Sequence, residues 1–233
     1  MIVSINQPAY LPWLGYFERI ARSDLHVVLD HVQYEKNSFT NRNRVRTNNG
    51  EIWLTVPLST KGQFGNLEIN HLAFATNNPW QKKHWDTLCM NYRKAPYFDE
   101  YAQTYESLYK TEWTSFMPMI RSFLAQHLID LGIHTKLVYS SEMKVCGTKS
   151  ELLLNLCCDV EASCYLSGAM GRDYLDEGLF SRSGICVTYQ EYIHPEYRQH
   201  HGGFKPCMGI LDLLFNEGPR SLNILLNNNT PNQ

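Results

Sequence analysis

Residues able to move a proton fall at three places in this chain of 233 residues. His84 lies in Trp80-Gln81-Lys82-Lys83-His84-Trp85, His194 in Ile193-His194-Pro195, and Asp30 closes the apolar run Leu25-His26-Val27-Val28-Leu29. Histidine is the side chain whose ordinary pKa suits proton transfer near neutrality. The lysines before His84 would depress its pKa and favour the neutral base form, so His84 is the first candidate for a general base. The other reading of His84, a half-buried helix histidine packed against Trp80, stays open. His194, with Tyr197 and Gln199 nearby, is the second candidate, although a histidine before proline at a strand end is often only a turn residue. His200-His201-Gly202-Gly203 has no HExxH motif and no third spaced ligand, so it reads as a solvated loop and no metal site is expected.

Anion recognition has two candidate segments. Ser167-Gly168-Ala169-Met170-Gly171-Arg172-Asp173 combines small residues, which let backbone N–H groups approach an anion, with an arginine able to grip phosphate or carboxylate in a fork. It lacks the GxxxxGK[ST] and GxGxxG spacings, and ordinary strand-to-helix turns also use glycine. Asn41-Arg42-Asn43-Arg44 supplies donors suited to a sugar diphosphate or to phosphopantetheine, or else forms a solvated surface loop. No nucleophile stands out. Ser167 lacks a GxSxG elbow, and the seven cysteines (89, 146, 157, 158, 164, 186, 207) lack CxxC spacing and read as buried reduced thiols.

The elements that must position these groups begin at the N-terminus. Ile2-Val3-Ser4-Ile5 alternates like a strand, a polar and aromatic loop follows through Trp13, and Leu14, Phe17, Ile20 and Ala21 take helical spacing before the second apolar run. Parallel strands joined through a helix place their carboxyl-end loops on one edge, where ligands usually sit in open α/β sheets. Asn6, Gln7, Asp30, Gln33, Lys36, Asn41, Arg42 and Arg44 collect there, with Tyr10, Trp13, Tyr16 and Tyr34 as an aromatic complement. Asn48-Asn49-Gly50 predicts a turn before the strand at residues 52–56. Residues 59–66 read as an exposed loop and 67–72 as a short strand. Helices are expected from Asn77-Asn78-Pro79 onward, at 100–109, and at 114–131 with Gly132 as stop. Strands are expected at 137–139, 164–168 and 185–189. Helices are expected at 148–158, capped by Thr148 with Glu151, at 174–181 and at 208–216. The fold class is therefore α/β, a single domain over 1–226 with a mixed, mainly parallel sheet, a Rossmann-like start and a helical insertion over about 79–132. Residues 227–233 are expected to fray.

Composition narrows the function. Hydrophobic residues make up 43% of the chain, ordinary for a globular protein, and a net charge of −2 implies no bulk attraction to nucleic acid or anionic membrane. No apolar run approaches a bilayer span, and the first twenty residues lack a signal peptide's apolar core, so a cytoplasmic protein is expected.

Several blocks carry a family resemblance, in nearly collinear order from residue 4 to residue 218: QPAYLPWLGYFERIARSD, VVLDHVQYEKNSFTNRNRV, WLTVPL, WQKKHW with NYRKAPYF, YLSGAMGRDYLD, HPEYRQ and FKPCMGILDLLFNEG. The chain resembles the WbqC-like protein family, whose members are often found with genes for bacterial surface polysaccharide, including O-antigen. The resemblance implies a sugar-related or acyl-transfer role. With the polar edge, it leads to an expected transferase that moves an acyl or aminoacyl group to an amino sugar nucleotide. In that reading His84 is the base, with Asp30 and His194 as further catalytic candidates. Substrate is held by Gln7, Tyr10, Trp13, Gln33, Lys36, Asn41, Arg42, Arg44, Lys83, Tyr92, Ser167, Gly168, Arg172, Tyr197 and Gln199. The expected partners are a small-molecule substrate such as a sugar nucleotide and an acyl carrier protein or acyl thioester donor, with no cofactor identified. Two other readings stay open: a non-catalytic glycan- or partner-binding protein, and, by fold analogy alone, a nucleotide-activating ligase-like enzyme with PWLGY where those enzymes carry HxGH.

Overall fold

The structure, a computed structural model, describes residues 1–60, 62, 65, 67–75 and 78–227. Five parallel strands form the central sheet: β1 Ile2–Asn6, β2 Leu25–Val28, β5 Lys136–Tyr139, β6 Cys164–Ser167 and β7 Cys186–Tyr189, in the order β5-β2-β1-β6-β7. β1 pairs with β2 from Val3 opposite Leu25, and with β6 from Ile2 opposite Cys164. The chain thus winds outward from β1 through β2 to β5, then crosses back to the far side of β1 for β6 and β7. A separate antiparallel hairpin of β3 Arg42–Thr47 and β4 Gly50–Thr55 forms about the turn that Asn48-Asn49-Gly50 predicts. Its two-residue turn, Asn48-Asn49, leads into Gly50 at φ 139°, which a side chain rarely adopts.

Each face of the sheet has its own apolar layer. Val3, Ile5, Leu25 and Val27 pack with Leu152, Leu153 and Leu156 of α5 (Lys149–Asp159) and with Phe180 of α6 (Glu177–Arg182). Leu14, Phe17 and Ile20 of α1 (Leu14–Ala21) join the larger core on the other face. The inserted helices α2 (Trp80–Tyr92), α3 (Phe98–Lys110) and α4 (Phe116–Leu131) supply much of that core, together with α7 (Ile210–Glu217) and α8 (Ser221–Asn227). Gly132 ends α4 at φ 70°, as the helix stop required. No helix among the described residues is long and apolar enough to cross a membrane.

Three local expectations are revised. Residues 67–72 form a 3-10 turn at Ile69–His71 rather than a strand, because Leu67, Ile69 and Leu72 all point inward. Thr148 precedes α5, but its hydroxyl makes no cap bond, and the N–H groups of Glu151 and Leu152 reach its carbonyl instead. Cys164 and Cys186, directly opposite each other on β6 and β7, form a disulfide, so these two are not reduced thiols. Cys89, Cys146, Cys157, Cys158 and Cys207 are free. Asn77, several residues of the 59–66 loop and residues 228–233 of the expected frayed tail lie outside the described residues.

A candidate anion site at the strand switch point

The reversal of winding between β1 and β6 leaves a crevice at their carboxyl ends, because the connections on either side depart in opposite directions. A cavity of about 360 Å³ opens there, walled by Asn6, Trp13, Arg19, the Gly168–Gly171 turn, Tyr174, Gln190 and Tyr192. A second cavity, of about 340 Å³, shares Ile5, Asn6, Tyr165 and Tyr174 with it and adds Gln7 and Lys149. A smaller one of about 170 Å³ lies beside Gln7, Trp13 and Tyr16, and Asn6, the last residue of β1, borders all three.

Arg19 is the one charged residue in the wall of the first cavity among the described residues. It rides on α1, and burial lowers its pKa from the ordinary guanidinium value. Among the described residues it has no ion-pair partner, and its Nε is buried without a hydrogen bond. The neighbouring carboxylate, Glu18, is taken instead by the Arg22 guanidinium and by the side-chain amide of Gln190. Gln190 also donates to the Gly15 carbonyl at 2.7 Å, which anchors the segment after β7 to α1. Tyr16 Oη, His26 Nε2 and Tyr192 Oη are likewise buried without partners. His26 is fully enclosed, with its Nδ1 2.7 Å from Ser4 Oγ, and burial together with the Arg19 charge pushes its pKa down to about 3. Gly168 allows a close approach, since a Cβ there would make the Arg19 guanidinium shift. Trp13 meets Tyr192 edge to face at 5.4 Å and forms an aromatic wall.

Of the substrate-binding set read from sequence, Gln7, Trp13 and Gly168 border these cavities. The others lie elsewhere. His84 faces the core, not the strand edge. It is 7% exposed, its Nδ1 is 2.9 Å from Tyr10 Oη, and its ring packs edge to face on Trp80 at 5.1 Å. Its pKa falls to about 4 through burial, not through the lysines, since Lys82 and Lys83 are exposed and Lys82 pairs with Asp86 at 2.6 Å. Tyr10 is wholly buried and also bonded to Tyr109.

Asp30 is a loop clasp. Its Oδ1 accepts from the Ser141 N–H at 2.8 Å and the Ser140 hydroxyl at 3.1 Å, and its Oδ2 accepts from the Ser141 hydroxyl at 2.8 Å. His194 donates from Nδ1 to the Pro195 carbonyl at 2.8 Å and accepts the Cys207 N–H on Nε2 at 3.1 Å, so both ring nitrogens are engaged. Tyr92, Tyr197 and Gln199 all donate to the buried carboxylate of Asp212, at 2.8, 2.7 and 2.8 Å.

Asn41 is bonded to Tyr34 and to the Val56 carbonyl, and Gln33 to the Leu67 N–H and the Tyr34 carbonyl. Arg42 lies over the Trp53 ring at 4.6 Å, and Arg44 pairs with Glu51 at 2.7 Å, so both brace the hairpin. Lys36 is exposed on a turn, and Ser167 is buried with its hydroxyl on the Gly168 carbonyl. Arg172, the expected anion grip, turns outward to Glu191 at 2.9 Å and over Tyr189 at 4.4 Å. The sequence reading missed Arg19, Lys149, Gln190 and Tyr192. Arg19 alone left a signal, as a charged residue between Phe17 and Ile20 on the helix that follows the first strand.

Comparison with known proteins agrees with the blocks read from sequence. The model of the WbqC-like protein family matches residues 7–224. The chain is 38% identical over 218 residues to the uncharacterized protein Rv1507c of Mycobacterium tuberculosis, covering 93% of this chain and 94% of that one. No solved structure matches. The match over nearly the whole length places the chain in the WbqC-like protein family.

Proposed function

We propose that this protein is a transferase of bacterial surface-polysaccharide (O-antigen) or related metabolism that seats an amino sugar nucleotide at the switch point and directs an acyl or aminoacyl group onto the sugar's amine. The observation that carries this reading is the unpaired guanidinium of Arg19 in the first cavity. A buried charge without a partner is costly, and a phosphate would supply the missing counter-charge through a forked, charge-assisted bond. Trp13 and Tyr192 offer ring faces and edges to the base or sugar, and Asn6 offers an amide at the end of β1.

The chemistry makes modest demands. A neutral amine attacks the carbonyl of a thioester carried by an acyl carrier protein or a small thiol, the C–N bond forms, the C–S bond breaks, and the amine's proton ends on the departing thiolate. In this scheme His84 holds the core that supports the crevice and takes no proton. The location that follows is the cytoplasm.

The test is titration calorimetry with UDP-N-acetylglucosamine, followed by mass spectrometry of mixtures containing a UDP-linked amino sugar and acetyl-coenzyme A. Saturable binding that weakens at least tenfold in Arg19→Met, with an acylated product, is the expected result. Absence of heat with the unaltered protein overturns the reading. A second reading, a binding protein without catalysis, draws on one observation: the described walls of the first cavity include no histidine, carboxylate or thiol. It predicts binding without product. Heat with ATP and magnesium in place of the sugar nucleotide would favour the ligase-like alternative.

A further inference from the structure

The second cavity differs in character from the first. Its walls combine hydrocarbon from Ile5, Leu29, Val32, Leu152 and Leu153 with the amides of Asn6 and Gln7 and the rings of Tyr165 and Tyr174, and its one charged lining residue among the described residues is Lys149, the first residue of α5. Lys149 is exposed, and its side chain has no ion pair or hydrogen bond among the described residues. It also sits in the left-handed region at φ 51°, where a non-glycine residue is strained. The start of α5 is held in place from the other side of the crevice. The Ser150 hydroxyl donates to the Tyr174 carbonyl at 3.2 Å and accepts the Asp176 N–H at 3.1 Å, which ties the loop after β6 to the start of α5.

We propose that this second cavity is a binding site for a small aliphatic carboxylate, with the hydrocarbon tail against Leu29, Val32, Leu152 and Leu153 and the carboxylate on the Lys149 ammonium. The chemical class follows from the walls. A pocket with one hydrocarbon wall, neutral amides at its rim and a single cationic group matches a monoanion with an apolar body. An aliphatic amine would meet the ammonium as a like charge, and a neutral alcohol would gain only from desolvation of its tail. The positive end of the α5 macrodipole acts in the same sense as the ammonium. Because the two cavities share only Ile5, Asn6, Tyr165 and Tyr174, this site does not depend on what Arg19 binds.

The test uses the full chain and three probes of equal chain length: hexanoate, 1-hexanol and hexylamine, each titrated by calorimetry. Hexanoate is expected to bind saturably, at least tenfold more tightly than 1-hexanol, and hexylamine not at all. Lys149→Gln is expected to bring hexanoate down to the level of the alcohol. Lys149→Gly relieves the backbone strain, so it should keep or raise the melting temperature while losing the same affinity, which separates a binding defect from a folding defect. Arg19→Met should leave hexanoate affinity unchanged. Equal affinity for hexanoate and 1-hexanol, no binding of hexanoate, unchanged affinity in both Lys149 variants, or loss of binding in Arg19→Met would each overturn the proposal.

Discussion

The guanidinium of Arg19 lies against the Cα of Gly168, on the side from which a side chain would project. The two residues come from opposite sides of the strand switch point, Arg19 from the helix after β1 and Gly168 from the end of β6. Their contact fixes where the positive charge sits in the crevice. The backbone angle at Gly168, φ −68°, is one that any residue adopts, so the close approach of the guanidinium is what a side chain there would disturb.

Gly168→Ala should therefore displace the guanidinium while leaving the backbone free to adopt its present conformation. Affinity for UDP-N-acetylglucosamine is expected to fall about tenfold, equivalent to ~1.4 kcal/mol. Calorimetry reads the affinity, and a melting temperature close to that of the parent protein confirms that the fold is intact.

Arg19→Met removes a charge that has no counter-ion among the described residues. An apolar side chain of similar length should raise stability by ~1 kcal/mol, while ligand binding is lost. Urea denaturation checks the first outcome. A fall in stability would mean that Arg19 is held by contacts worth more than its desolvation.

Three buried histidines should make stability depend on pH in one direction. Burial pushes His84 down to about 4, and His26 and His127 to about 3, from an ordinary 6.5. Between these values and 6.5 the unfolded chain binds protons that the folded one does not, so stability rises with pH through this window and is fully present above it. His84 alone should contribute ~3 kcal/mol between pH 4 and pH 6.5. His84→Gln is expected to flatten that part of the curve without changing ligand affinity, as measured by denaturation at a series of pH values and by calorimetry.

Asp212 gathers Tyr92 from α2 and Tyr197 and Gln199 from the segment before α7, and burial raises its pKa. Asp212→Ala would leave these donors buried and unpaired, at an expected cost of ~3 kcal/mol. Chemical denaturation of the variant measures the loss, and a change under ~0.5 kcal/mol, typical of a surface site, would contradict the account.

The Cys164–Cys186 bridge predicts a thiol count. Under denaturing, non-reducing conditions alkylation followed by mass spectrometry should label five cysteines, and after reduction all seven. Cys186→Ala should lower stability by ~3 kcal/mol, since it releases a closed loop spanning 22 residues.

The α/β class, the strand–helix–strand opening, the inserted helices and the stop at Gly132 were all legible in the sequence. Apolar periodicity, helix-ending glycine and turn-forming Asn-Gly are local properties of the chain and act before any long-range contact forms. That the loops after β1 and its neighbours would share one edge was legible too, because parallel pairing fixes which loops meet there. Only the tertiary structure decided which polar side chains face that edge. Arg172 and Arg19 are both arginines close to the switch point, yet Glu191 and the Tyr189 ring draw the first outward while the fully engaged Glu18 leaves the second unpaired. His84, Asp30 and Tyr92 carry groups fit for chemistry, but their partners, Tyr10, Ser140 with Ser141, and Asp212, come from segments far along the chain. A polar side chain turns toward the pocket or the core according to where its counter-charge and hydrogen bonds lie once the chain is packed, and no local pattern in the sequence encodes that.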